Sequence, residues 1–208
     1  GRVKKWVAWA QALEWARPMN FWPSRAMEMG FGMAGETIGV ADRIYQRPAA
    51  ARRRAATRVR RELAGIDALH ADLYRKRATV VRKELSRLHL WAVGELNRVP
   101  AEHRTLATAH AAFAYFCNEH KWKMLAVQGL NRERVDSPKF VVEVASAIRK
   151  EKVQAVFPEQ RSNPKMLKTV AEGAGIVLGG PLMADGGDSI EKMFRHNVET
   201  IVAALGKK

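Results

Sequence analysis

From Val99 to the end of the chain, short apolar runs alternate with stretches of helical periodicity. The runs are Thr105–Ala109, Met124–Gln128, Ala155–Pro158 and Ile176–Leu178, and turn residues bound them. Helix-period patterns lie between and after them, at 111–120, 138–151, 163–173 and 188–205. Fully apolar short runs read as strands covered on both faces, and strand–helix alternation makes neighbouring strands parallel. Residues 99–208 are therefore expected to form an α/β lobe: a four-stranded parallel sheet covered by helices on both faces. Ser137-Pro138 and Asn163-Pro164 each supply an N-cap followed by proline at the first helical position. Gly173 and Gly175 end the third helix of the lobe.

The front of the chain has a different texture. Val59, Leu63, Ile66, Leu69 and Leu73, then Val81, Leu85, Leu88 and Ala92, recur at steps of three, four or seven and make one stripe. Pro48 suits a helix's first turn, and Gly65 is the only glycine from 49 to 93. The pattern predicts a long helix over 48–98, roughly 65–70 Å if continuous, with a candidate break near Tyr74–Arg77 where the stripe weakens. Residues 1–47 read as a Trp-rich helical segment. Val3, Trp6, Ala10 and Leu13 share one face, and Gly30, Gly32, Gly35 and Gly39 loosen a second helix over 24–46.

Charge changes this picture. The 208-residue chain carries a formal net charge of +15, with 36 Lys plus Arg against 21 Asp plus Glu. Residues 1–100 hold 20 basic and 9 acidic residues, whereas 101–208 hold 16 and 12. The face opposite the long helix's stripe carries Arg52, Arg53, Arg54, Arg58, Arg60, Arg61, Arg75, Lys76, Arg77, Arg82, Lys83 and Arg87. Like charges one turn apart repel, so this face is expected to meet a large anionic partner, RNA or an acidic protein complex. A solvated charged face is the plainer alternative. Trp6 and Trp9 beside Lys4 and Lys5 suit either a membrane surface or burial against the protein itself or a partner. The chain starts at Gly1 instead of Met, which reads as a processed or trimmed start.

Candidate chemistry is sparse. The single cysteine, Cys117, excludes an internal disulfide and any CxxC metal knuckle. Its place beside Phe113 and Phe116 reads as core more than nucleophile. No HExxH, GxGxxG or Walker pattern is present, so no enzyme is expected. Gly186-Gly187-Asp188-Ser189 reads as an N-cap before it reads as an anion nest. In a parallel sheet, ligands gather past the carboxyl ends of the strands. His110, Gln128, Gly129, Glu159 and the Gly179–Asp185 stretch occupy those places, and a His with carboxylates suits zinc or manganese.

Four motifs then carry a resemblance: PAEHRTLATAHAAFAYFC (Pro100–Cys117), AVFPEQRSNPKML (Ala155–Leu167), GGPLMAD (Gly179–Asp185) and GDSIEKMFRHNVETIVAAL (Gly187–Leu205). In order and spacing they resemble the second lobe of the zinc/manganese substrate-binding proteins of bacterial ABC importers. The likeness extends loosely over 20–73. It implies two α/β lobes joined by a rigid helix with the metal between them. It also implies His110 as a metal ligand, Asp185 as a second (Gly180 under another alignment), and Glu159 as the carboxylate that backs a ligand. A ligand histidine of the family falls here on Asn20, a neutral and poor donor, and the first lobe's histidine has no counterpart.

With this ligand set incomplete and the front half strongly basic, the sequence predicts a non-enzymatic structural or interaction subunit. It would derive from a metal-receptor lobe, bind no cofactor beyond weak zinc or manganese, and dock on an organellar ribosome or membrane complex, in the mitochondrion. The alternative is a zinc/manganese receptor, or half of one, serving an ABC permease in the periplasm.

Overall fold

The computed structural model describes residues 48–129, 138–184 and 189–206. The chain divides into two compact units, Gly1–Leu90 with Asp185–Met193 and Trp91–Ala184 with Phe194–Lys208. Asn20, Trp6, Trp9, Lys4, Lys5, Asp185 and the expected helices of 1–47 lie outside the described residues.

In the first unit, α1 spans Ala49–Ile66 and α2 begins at Ala71, running to Leu96. The long helix of the sequence reading is thus divided, and the break falls at Asp67–His70 instead of Tyr74–Arg77. Asp67 adopts φ −131° and ψ 78°, which no helix continues, and a 3₁₀ turn over Ala68–His70 follows. The Asp67 carboxylate explains the stop. It accepts the Tyr74 hydroxyl at 2.8 Å and His70 Nδ1 at 2.8 and 2.9 Å, drawing the chain out of the helix and into a turn. Ile66 and Leu69, two members of the expected stripe, are 60% and 88% exposed because the stripe ends at this break. Val59, Leu85 and Leu88 are buried as expected.

The basic face also differs from its expectation. Arg52 is 2% exposed and belongs to the interior. Arg61, Arg75 and Arg87 reach Glu62, Asp72 and Glu84 at 3.7, 2.6 and 3.2 Å. Acids close in sequence therefore offset part of the cationic run, which the count of cations alone obscured.

The second unit is the α/β lobe. Four parallel strands, β1 (Thr105–Thr108), β2 (Lys123–Ala126), β3 (Ala155–Phe157) and β4 (Val177–Leu178), form one sheet in the order β2-β1-β3-β4. Thr105–Thr108 pair with Lys123–Ala126, Ala107 with Val156, and Ala155 with Val177. The helices are α3 (Ala114–His120), α4 (Pro138–Lys150), α5 (Lys165–Ala174) and α6 (Ile190–Leu205). Elements fall within a few residues of their expected places. Asn163 Oδ1 accepts Lys165 N at 3.0 Å at the start of α5, and Gly175 ends that helix at φ +70°. Ser189 Oγ accepts Lys192 N at 3.2 Å, the N-cap expected before α6.

Strand residues alternate between two cores. Ala107 and Val156 pack with Phe140, Val144 and Ile148 of α4 and Leu167 and Val170 of α5. Leu106 and Phe157 point the other way and are equally buried. Each large apolar side chain removed from water in this way contributes about 2 kcal/mol. An aromatic group of Phe116, Trp122 and Phe194 adds edge-on contacts, with Phe116 centroids 6.5 and 6.0 Å from the other two. Cys117 is buried beside Met124, 3.7 Å between sulfurs, and burial pushes its thiol up to about 12, so it is core and not a nucleophile.

Candidate metal centre

The sheet order fixes where a ligand would meet the lobe. β1 is followed in sequence by β2 on one side, and β3 lies on its other side. The chain thus leaves β1 and β3 in opposite directions, which opens a crevice at the carboxyl ends of these two strands. His110 lies just past β1 and Glu159 just past β3.

The structure brings these two residues together. His110 Nδ1 lies 3.1 Å from Glu159 Oε1, across 49 positions of sequence. A carboxylate only accepts, so Nδ1 carries the proton in this contact, and in the neutral ring Nε2 is the nitrogen with the lone pair. The His110 side chain is 57% exposed, against 19% for Glu159. The arrangement is a histidine with one nitrogen held from behind by a carboxylate and the other available to an ion. In metal sites such backing orients the ring and raises its basicity.

Local backbone bonds hold both partners. Thr108 Oγ1 donates to His110 O at 2.5 Å, and Gln128 N to Ala109 O at 3.1 Å, so the turn after β1 is tied to strand and neighbour. Glu159 O accepts Ser162 Oγ at 2.8 Å and Ser162 N at 2.9 Å. Leu182 N donates to Pro158 O and Gln160 N to Leu182 O, each at 2.8 Å, which extends the β3–β4 ladder past Glu159.

The segment leading to Asp185 is fixed from α6. Asn197, 5% exposed, accepts Met183 N at 2.8 Å and donates to Met183 O at 2.9 Å. His196 Nε2 donates to Pro181 O at 2.9 Å. The sequence reading missed both residues. The available signal was an amide on an apolar stripe, since Asn197 sits between Phe194 and Ile201 at helical spacing. Two glycines permit the close approach on the other side. A Cβ on Gly179 would fall 2.5 Å from ring carbons of Phe157, and one on Gly180 would fall 3.0 Å from Thr200 Cγ2.

Comparison with known proteins gives the family of the chain. The profile of the family "Zinc-uptake complex component A periplasmic" matches residues 44–204. The manganese-binding lipoprotein MntA of Bacillus subtilis (strain 168) is 36% identical over 148 residues, 65% of this chain and 48% of MntA. The zinc-binding protein TroA of Treponema pallidum is 30% identical over 146 residues, 64% of this chain and 47% of TroA. The solved structure of periplasmic zinc-binding TroA superimposes with a TM-score of 0.67 at 25% identity, covering 80% of this chain and 64% of that one. The chain spans about half the length of the curated relatives it matches.

These matches overturn the main functional expectation. The relatives' names, metal-binding proteins and lipoproteins, do not support a subunit docked on a ribosome or other large anionic assembly in the mitochondrion. The large anionic partner was inferred from uncompensated charge, and part of that charge is compensated by Glu62, Asp72 and Glu84. The alternative reading, a metal receptor, is the one the relatives support. This chain belongs to the zinc-uptake component A family of substrate-binding proteins.

Proposed function

We propose that this chain is a receptor component for a divalent metal, manganese or zinc, delivering it to an ABC permease outside the cytoplasmic membrane. The observation that carries the reading is the His110–Glu159 pair at the β1/β3 crevice, in a chain whose family match covers that crevice. His110 donates through Nε2, and Glu159 holds the proton on Nδ1. Asp185, which lies outside the described residues, is the further candidate ligand by the family resemblance alone. One imidazole and one carboxylate give a mixed nitrogen–oxygen set that suits either ion. The metal is the cargo, so no reaction at the protein is required. The relatives' names support the location and the metal class.

Titration calorimetry of the apo chain with manganese and with zinc tests this. The expected result is saturable 1:1 binding of at least one ion, weakened at least about tenfold by His110→Ala. Equal affinity in the variant, or no saturable binding of either ion, refutes it.

A further inference from the structure

A cleft of about 370 Å³ lies between α1 and α2, lined by Arg53 from α1 and by Thr79, Arg82, Lys83 and Ser86 from α2. The α2 residues follow at i, i+3, i+4 and i+7, which places them on one face of that helix. Arg53 of α1 and the α2 residues line the same cleft from either side of the turn at Asp67–His70.

Among the described residues three cations line this cleft and no acid does. Their neighbours behave otherwise: Arg61, Arg75 and Arg87 each reach a carboxylate. Among the described residues Arg53, Arg82 and Lys83 have no such partner. Thr79 and Ser86 donate only to the carbonyls of Arg75 and Arg82 four residues back, at 3.0 and 2.9 Å, weak local bonds that a charged acceptor outcompetes.

We infer that this cleft binds a small multivalent phosphate of pyrophosphate size. Arginine forks and a lysine point charge are the usual donors to phosphoryl oxygens, and two hydroxyls complete a polar wall. The cleft, about 370 Å³ and open to solvent, has room for two or three phosphoryl groups. Gathering three cations across two helices is unfavourable without a counter-charge, and a bound polyanion removes that repulsion while fixing α1 against α2. The cleft shares no residue with the His110–Glu159 pair, so the inference stands apart from the metal-receptor reading.

The test is calorimetry of the whole chain with inorganic pyrophosphate at constant ionic strength, alongside Arg53→Gln, Lys83→Gln and the triple Arg53→Gln/Arg82→Gln/Lys83→Gln variant. Circular dichroism and urea unfolding check that each variant is folded. One-to-one binding is expected, weakened about tenfold by each single change and lost in the triple. Unchanged binding in the folded triple variant, or no binding by the parent, overturns the inference. So does retention on phosphatidic acid vesicles without binding of free pyrophosphate, which would assign the cleft to lipid phosphate.

Discussion

One side-chain amide of Asn197 pairs with both main-chain groups of Met183, accepting from its N–H at 2.8 Å and donating to its carbonyl at 2.9 Å. Asn197 thereby holds both main-chain groups of the residue that follows the Leu182 bridge to β3. Asn197→Ala leaves two backbone groups without their partner, at a cost of about 2 kcal/mol in urea unfolding. The proposed function takes Asp185, two residues past Met183, as a further ligand, so the same change is expected to weaken manganese binding. Asn197→Asp keeps the acceptor but sets a carboxylate oxygen against the Met183 carbonyl, so it should be no better than alanine. Wild-type stability in both variants would show that the clamp contributes nothing.

Glu159 holds His110 Nδ1 at 3.1 Å, and under the proposed metal-receptor function its two obvious variants separate orientation from charge. Glu159→Gln can still accept the Nδ1 proton through its amide oxygen but cannot raise the ring's basicity. Glu159→Ala loses both effects. Manganese affinity should fall roughly 10–100-fold in the alanine variant and by less in glutamine. Ser162 bonds to the Glu159 backbone and not to its carboxylate, so the turn survives either change. Equal affinity across all three proteins would mean that Glu159 does not position the ligand.

The α/β lobe was largely legible in the sequence because its elements are local. Ala155–Pro158 is apolar and bounded by turn residues, and Asn163-Pro164 and Gly175 mark the ends of α5 with side-chain and φ chemistry that acts within a few residues. Strand-end residues could also be named in advance, so His110 and Glu159 were candidates before their 3.1 Å contact was seen. The break at Asp67 was not legible. The carboxylate takes His70 and Tyr74, three and seven positions on, but nothing in the spacing of the helical stripe marks this aspartate as a stop. Arg52 misled for a similar reason: periodicity put it among exposed arginines, while the fold buries it.

The Asp67 turn has a pH signature. Burial raises the Asp67 carboxyl, but the Tyr74 hydroxyl and His70 together outweigh it and hold the carboxyl below its ordinary value near 3.8. A depressed folded value means the contribution is present above the unfolded carboxyl's range and is lost as pH falls through the folded value. Burial first, and then the Asp67 carboxylate, pushes the Tyr74 phenol up to about 12, so its contribution persists through neutral pH and is lost as pH rises towards 12. Tyr74→Phe should cost about 1 kcal/mol at pH 7. The gap from wild type should close in acid as Asp67 protonates and close again above pH 10. A gap independent of pH would remove the carboxylate from this account.

Gly179 tests how tightly the end of β4 packs on the sheet. A Cβ there would stand 2.5 Å from two ring carbons of Phe157, a contact that neither residue can accept unchanged. Phe157 is fully buried in β3, two positions before Glu159, so its ring cannot swing into solvent. Gly179→Ala must therefore push β4 or the ring aside, and overpacking of this kind costs about 1–3 kcal/mol. The displacement would travel to Glu159 along the backbone, so manganese affinity should fall together with stability. Pairing the change with Phe157→Leu, which vacates space at the ring position, should recover part of both losses. If the double variant is as unstable as the sum of the single ones, the glycine is required by its backbone and not by the Phe157 ring.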